Sequence, residues 1–413
     1  MLAEAEYSFV NAFIYSVQAI ASNDFGSVTG NIVRFIVPPW TLLPAAPPMN
    51  WHSLATSADG TRLAAVWAFD YYLWLSSDSG RSWTARGLGG SSAGPCVAMS
   101  ADGRRITVGF ALSSDFGQTW TYPPAANYYW AALACSGDGL AVAGAALDLG
   151  KVLRSTNGGL TWTTNSPPIL DQWSTIASSA DGRTLIVAAG AGINSRFSTN
   201  GTLFTSTNAG LNWVSNNLPR QYWTSVASSA DGRTLFAATS HATNPYATWG
   251  SIYISTNSGG SWSVTSAPVT NWLPLAVSAN GRNVAAACNG YGLPVFTSTD
   301  MGATWQPHLA LQKQWQTLAS SADGDRLFGS ASLDMATLQT TPAPQLEATR
   351  LSQQLLLSWV IPSTTLRLQQ ATDLLAPQWT EVTNTPTLNF TNLHYQVAVP
   401  LTSSAGFYRL SSQ

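Results

Sequence analysis

Four aspartates outside the repeated motifs fall in loops expected to share one face: Asp70, Asp148, Asp171 and Asp334. Two carboxyl groups at a suitable separation suffice for glycoside hydrolysis, one as general acid and the other as base or nucleophile. No local motif pairs any two of the four, so exposed loop carboxylates are the plainer reading. Glutamate is scarce: the chain holds only Glu4, Glu6, Glu347 and Glu381, and none lies between residues 7 and 346. The histidines, His52, His241, His308 and His394, are scattered, and Cys96, Cys135 and Cys288 lack Cys-x-x-Cys spacing. No metal centre and no cofactor is expected. The three cysteines, an odd number set in apolar runs, read as buried free thiols. Neither a Gly-x-Ser-x-Gly nucleophile turn nor a phosphate-binding loop occurs.

The elements that must position these residues are set by repetition. Ser-x-Asp/Asn-x-Gly-x-x-Trp recurs six times, at Ser76–Trp83, Ser113–Trp120, Ser155–Trp162, Ser206–Trp213, Ser255–Trp262 and Ser298–Trp305. The Trp-to-Trp spacings are 37, 42, 51, 49 and 43 residues. A period of that length, built of short strands and turns, predicts a β-propeller. A second repeat interleaves with the first. In seven places an Asp-Gly or Asn-Gly turn separates two runs rich in Ala, Val and Leu, as in Trp173-Ser-Thr-Ile-Ala-Ser-Ser-Ala-Asp-Gly. Such dipeptides supply the positive φ of a tight turn, and small apolar flanks suit strands buried on both faces.

Together the repeats define a blade of four strands, A to D from the inside outwards. Seven A–B hairpins against six complete signatures leave one blade unfinished. Met335–Thr340 reads as its third strand, and residues near 31–43 are expected to supply its outer part, because Trp40-Thr-Leu-Leu-Pro parallels Trp262-Ser-Val-Thr-Ser-Ala-Pro. The expected fold is all-β: a seven-bladed propeller over 31–340, with six or eight blades as the alternatives, preceded by a segment of uncertain structure, 1–30. A linker follows at 341–346, then a small β-sandwich-like module at 347–413, similar to the accessory modules that end many secreted bacterial proteins.

Charged residues make up 9% and the net charge is −2, with Lys151 and Lys313 the only lysines. Phosphate binding needs clustered Lys or Arg, so no nucleic-acid partner is expected. No apolar run reaches the roughly 18 residues of a membrane span. The start at Met1 lacks the basic region of a signal peptide. A surface rich in Ser, Thr and Asn still suggests a secreted or cell-surface protein, expected to be monomeric.

The six-fold signature resembles the Asp-box, or BNR repeat. It is known from sialidases, xyloglucan-cleaving propellers, sorting-receptor propellers and photosystem assembly factors. The resemblance spans residues 76–305 directly. In that family the motif is structural, which makes Asp78, Asp115, Asn157, Asn208, Asn257 and Asp300 turn formers. Asn in three copies agrees, since it keeps the acceptor and loses the charge. Arg62, Arg104, Arg183, Arg233, Arg282 and Arg326, which share a place after the Asp-Gly turn, read likewise as scaffold. Sialidases also need a Tyr nucleophile activated by Glu, and an arginine motif before the first Asp-box. The propeller has no Glu, and Arg34-Phe-Ile-Val-Pro38 has the wrong order, so sialidase activity is not expected.

What remains is the face that carries the B–C and D–A loops, opposite the Asp-boxes and Asp-Gly turns. It gathers Trp67, Phe69, Tyr71, Tyr72, Tyr128, Tyr129, His241, Tyr246, Trp249 and Tyr291. Aromatic rings stack on sugars and anchor protein interfaces. The plainer alternative is that they pack on one another. Trp51, Trp130, Trp173, Trp223, Trp272 and Trp315, which open the A strands, recur blade by blade and read as core. The function expected is non-catalytic recognition of a glycan or a protein by that face. The alternatives are a polysaccharide-active hydrolase using two loop aspartates, and an assembly or scaffold factor.

Overall fold

The computed structural model describes residues 40–413 except 44–45, 68–71, 89–95, 110, 124–127, 147–149, 169–172, 190–200, 217, 220, 241–249, 291, 309–313, 332, 340–345, 352–353, 361–365, 372–377, 401–406 and 413; before residue 40 it describes the backbone of four strands. All regular structure among the described residues is β. Seven antiparallel sheets follow one another along the chain, six of four strands and one of three, and the molecule is a β-propeller.

The first sheet shows why the repeat folds this way. Its strands are Trp51–Thr56, Leu63–Trp67, Tyr72–Ser76 and Thr84–Gly87, hydrogen-bonded in chain order. The second strand, Leu-Ala-Ala-Val-Trp, is buried along nearly its whole length because neighbouring sheets cover both of its faces. Trp51 and Leu54 are both buried although three residues apart. A register shift directly after Trp51 turns them to the same side. A shift follows the leading Trp in all six Trp-led sheets. The sheet of Val97–Met99, Ile106–Val108 and Ala111–Ser113 departs from the four-strand expectation: a single bridge, Leu112 to Thr121, stands where a fourth strand was expected.

Each inner strand packs against the next around the axis. At their turn ends, backbone hydrogen bonds run Ala58→Ala101→Gly137→Ala180→Ala230→Ala279→Ala322→Ala58, each N–H donating to the next carbonyl at 2.7–2.8 Å. The cycle returns to its first member, so no inner-strand edge is left open there.

In the last sheet, Trp315–Ser320, Arg326–Ala331 and Asp334–Gln339 are completed by Thr41–Leu42, which pairs with Ala336 and Thr337. Trp40 packs on Trp315 with ring centroids 4.5 Å apart. Signature tryptophans pair with inner-strand ones in the same way: Trp51 with Trp83 at 6.1 Å, Trp130 with Trp162 at 4.7 Å and Trp272 with Trp305 at 6.2 Å. Trp40 thus does for the last sheet what a signature Trp does elsewhere. The contribution is narrower than 31–43: Val33–Val37 pairs instead with Phe13–Val17, around the hairpin Ile20–Asn23 and Gly26–Thr29.

Beyond residue 346, one sheet holds Glu347–Leu351, Gln354–Val360, His394–Pro400 and Thr387–Asn389, and a second holds Thr380–Glu381, Leu366–Ala371 and Phe407–Ser412. Leu357, Trp359, Leu368, Val397 and Val399 form a core that both sheets share.

Candidate functional site

The two ends of the propeller are built differently, and strand direction assigns each end of a described strand to one of them. At one end lie the A–B and C–D turns. In the signature turn, the Ser76 hydroxyl donates to Asp78 Oδ1 at 2.8 Å and accepts from the Gly80 N–H at 2.8 Å. Asp78 Oδ1 also accepts from the Ser82 N–H at 2.9 Å, and Oδ2 accepts from the Ser82 hydroxyl at 2.6 Å. Asp115 and Asp300 repeat this with Thr119 and Thr304. Asn157 and Asn257 keep the Oδ1 contact, and their Nδ2 donates at 2.9 Å to Thr161 and Ser261. Asn208 keeps the acceptor contact with the Asn212 N–H at 2.8 Å.

These contacts fix the ionisation of the carboxylates. Hydrogen bonds from the Thr119 hydroxyl and N–H push the Asp115 carboxyl down to about 2. At Asp78 and Asp300, burial alone would raise the pKa, but the donors of Ser82 and Thr304 outweigh it and hold it below the ordinary value. A carboxylate so stabilised is a poor proton donor near neutrality, so these aspartates suit turn-building and not acid catalysis.

The A–B turn is equally self-contained. Ser57 donates to Asp59 Oδ1 at 2.5 Å and accepts from the Arg62 N–H at 2.9 Å. The two turn types are stitched together: the N–H of Ser79 donates to the Thr61 carbonyl at 2.8 Å, and the pattern recurs at Phe116, Gly158, Ala209, Ser258 and Met301. Sequence reasoning missed that these linking residues have positive φ, about 57–61° for the five that are not glycine. The signal was faint, because the motif puts a variable residue there. The arginines need one correction. Arg62 and Arg326 sit five residues after the turn serine, whereas Arg104, Arg183, Arg233 and Arg282 sit four after it. Arg62 donates to the Asp102 carbonyl at 3.1 Å and lies over the Phe116 ring, so it bridges two sheets.

The opposite end carries the B–C and D–A loops. Of the candidates read from the sequence, Trp67, Tyr72, Tyr128, Tyr129 and Asp334 are described here. Asp70, Asp148, Asp171, Tyr71, His241, Tyr246, Trp249 and Tyr291 lie outside the described residues, as does Phe69. Tyr72 opens its strand and is 48% exposed, and Tyr129, just before an inner strand, is 51% exposed. Tyr128 is half-buried, with its ring edge-on to Trp130 at 5.4 Å. Trp67 closes its strand opposite Trp51. Asp334 is half-buried and opens a strand opposite Ala331.

Amides on this face went unnoticed in the sequence. Gln316 donates to Asn50 Oδ1 at 2.9 Å, and Gln314 donates to Asn289 Oδ1 at 3.1 Å, each pair joining adjacent sheets. The readable signal was the position before each inner-strand Trp, which holds Asn50, Tyr129, Gln172, Tyr222, Asn271 and Gln314 in turn. Every one carries a hydrogen-bonding side chain.

Among the described residues, no three His, Cys, Asp or Glu converge as a metal site, and no helix is long and apolar enough to cross a membrane. Neither a protein-family model nor a curated protein matches the chain. Solved structures do. Hydrazine synthase of Kuenenia stuttgartiensis superposes with a TM-score of 0.57 at 12% identity, covering 71% of this chain and 96% of that one. YCF48 bound to D1 peptide gives 0.54 at 17% identity, covering 74% and 96%. The Cps50 (Swd1) β-propeller domain of Myceliophteria thermophila gives 0.53 at 12% identity, covering 71% and 97%. At such identities the likeness establishes the propeller fold and nothing finer.

Proposed function

We propose that this chain is a non-catalytic, seven-bladed binding propeller of the Asp-box kind, followed by a β-sandwich-like module. It recognises a protein or glycan through the face of its B–C and D–A loops. One contrast carries the reading. The signature carboxylates are engaged in turn hydrogen bonds on one face, while Tyr72 and Tyr129 stand exposed on the other. Exposed tyrosines offer stacking to a ligand, and side-chain amides on the same face offer hydrogen bonding. A binding or scaffold role is compatible with the structural neighbours, among them YCF48, solved with a D1 peptide. The protein is proposed to work as a monomer at the cell surface or outside the cell.

The test is a panel of glycans, polysaccharides and peptides, scored for both retention and released sugar. Retention without release, weakened by Tyr72→Ala or Tyr129→Ala, is the expected result. Released sugar would overturn the non-catalytic reading and turn attention to Asp70, Asp148, Asp171 and Asp334. Retention of peptides alone would favour the scaffold role.

A further inference from the structure

On the turn face, the propeller axis opens through the ring of six alanines and Gly137. The ring lines a cavity of about 160 Å³, and Cys135 and Leu393 line it too. Leu393, Leu388, Val360 and Tyr395 of the C-terminal module pack on that alanine cluster. Gln339, the last residue of the last propeller strand, pairs with Arg326 beside the Asp323-Gly324 turn, so the chain leaves the propeller on this same face. The module begins at Glu347, a few residues on.

Two details show that the contact is fitted. Six of the seven ring positions hold alanine and one holds glycine. Gly137 does not have the positive φ of the turn glycines, so its backbone does not call for glycine. A Cβ there would overlap the carbonyl oxygen of Phe390 and touch Leu393 at 3.0 Å. The only ring position without a side chain is thus where the module's backbone rests. The second detail is Leu393 itself, at φ 58°. All other described non-glycine residues with positive φ belong to signature turns. A left-handed conformation costs a residue with a Cβ, and such strain persists where the surroundings fix it. Here it aims an aliphatic side chain at the ring, with the Leu393 N–H donating to the Asn389 carbonyl at 2.9 Å.

We propose that the C-terminal module is the propeller's own lid. Its Phe390–Leu393 turn is seated in a socket whose one glycine exists to admit it, so the axial cavity is closed on the turn face. The module is then a fixed part of the propeller, not a freely moving domain.

Cysteine labelling of the full chain tests this without knowing the ligand. Cys135 lines the cavity, while Cys96 and Cys288 are buried elsewhere and report propeller integrity. N-ethylmaleimide labelling is followed at each thiol by mass spectrometry in the parent, in Gly137→Ala and in Leu393→Asp. Gly137→Ala installs the residue that the other ring positions already carry, so it should lift the lid and spare the ring. Cys135 labelling at least tenfold faster in Gly137→Ala, with Cys96 and Cys288 unchanged, is the expected result. Leu393→Asp should reproduce it, and if that variant unfolds, Gly137→Ala decides alone. An unchanged Cys135 rate in Gly137→Ala overturns the proposal. So does acceleration at all three thiols in that variant, because Gly137 would then serve the ring and not the lid.

Discussion

The turn face and the loop face of the propeller are made from the same strands yet obey opposite rules. On the turn face, serine, acid or amide, and glycine recur with nearly the same distances in sheet after sheet, and their polar atoms are mutually satisfied. On the loop face, loop length and side chains change with every sheet, and aromatic rings project into solvent. Residues that close local hydrogen-bond circuits have little chemistry left to offer. A face that varies while the scaffold repeats is free to be shaped by a ligand.

Substitutions at the two faces, and in the core that joins them, should separate cleanly. The largest effect is expected from Trp272→Ala. Trp272 is fully buried and packs on Phe296 and Trp305, and its loss should cost about 3–5 kcal/mol. Thermal unfolding reads this as a large drop in midpoint, and a small drop would mean that the inner-strand tryptophans are not the main packing elements of the core. Next comes Gly144→Ala, where a new Cβ would land inside the Trp130 ring. Overpacking of this kind should cost about 1–3 kcal/mol, whereas Gly87→Ala, with only Tyr72 at 3.7 Å, should be well tolerated.

Smaller effects sharpen the turn face. Asp300→Ala removes the acceptor for Thr304 and should cost about 1 kcal/mol. Asp300→Asn should cost much less, because Asn157 and Asn257 make the equivalent contacts. Equal losses from the two would show that the charge, not the acceptor geometry, matters. Acidity offers another probe. The Asp115 pKa is lowered to about 2 by the Thr119 hydrogen bonds. Its stabilisation is therefore complete above the ordinary value of 3.8 and is lost as the pH falls towards 2. His308 acts at higher pH: burial lowers it to about 4 from 6.5. The unfolded chain takes up that proton first, so stability falls as the pH drops from about 6.5 to about 4. His308→Gln should flatten that part of a plot of melting midpoint against pH.

The smallest stability effect belongs to the loop face. Tyr72→Ala and Tyr129→Ala should change stability by no more than about 0.5 kcal/mol while reducing ligand retention. A substantial loss of stability would mean these rings are packing elements after all.

Much of this was legible because a repeat announces itself. Asp-Gly and Asn-Gly turns, alternating with small apolar runs, specify hairpins locally, and the recurring Trp gives the period. Even the place of Trp40 could be read, since Trp40-Thr-Leu copies the start of an outer strand. The candidate site was harder to read. Tyr128 and Tyr129 are neighbours of one residue type, yet one packs on Trp130 and the other faces solvent. That difference depends on which side of the chain the adjacent sheet covers.

The sequence by itself determined the strand period, the turn chemistry and the burial of the tryptophans, because each rests on residues close together in the chain. Only the tertiary structure decided that seven inner strands close a hydrogen-bonded cycle, that Gln314 and Gln316 meet amides of other sheets, and that Gly137 faces Phe390. Those contacts join residues from about 25 to more than 250 positions apart. No local pattern encodes such a meeting, since the packing of whole sheets around an axis brings the partners together.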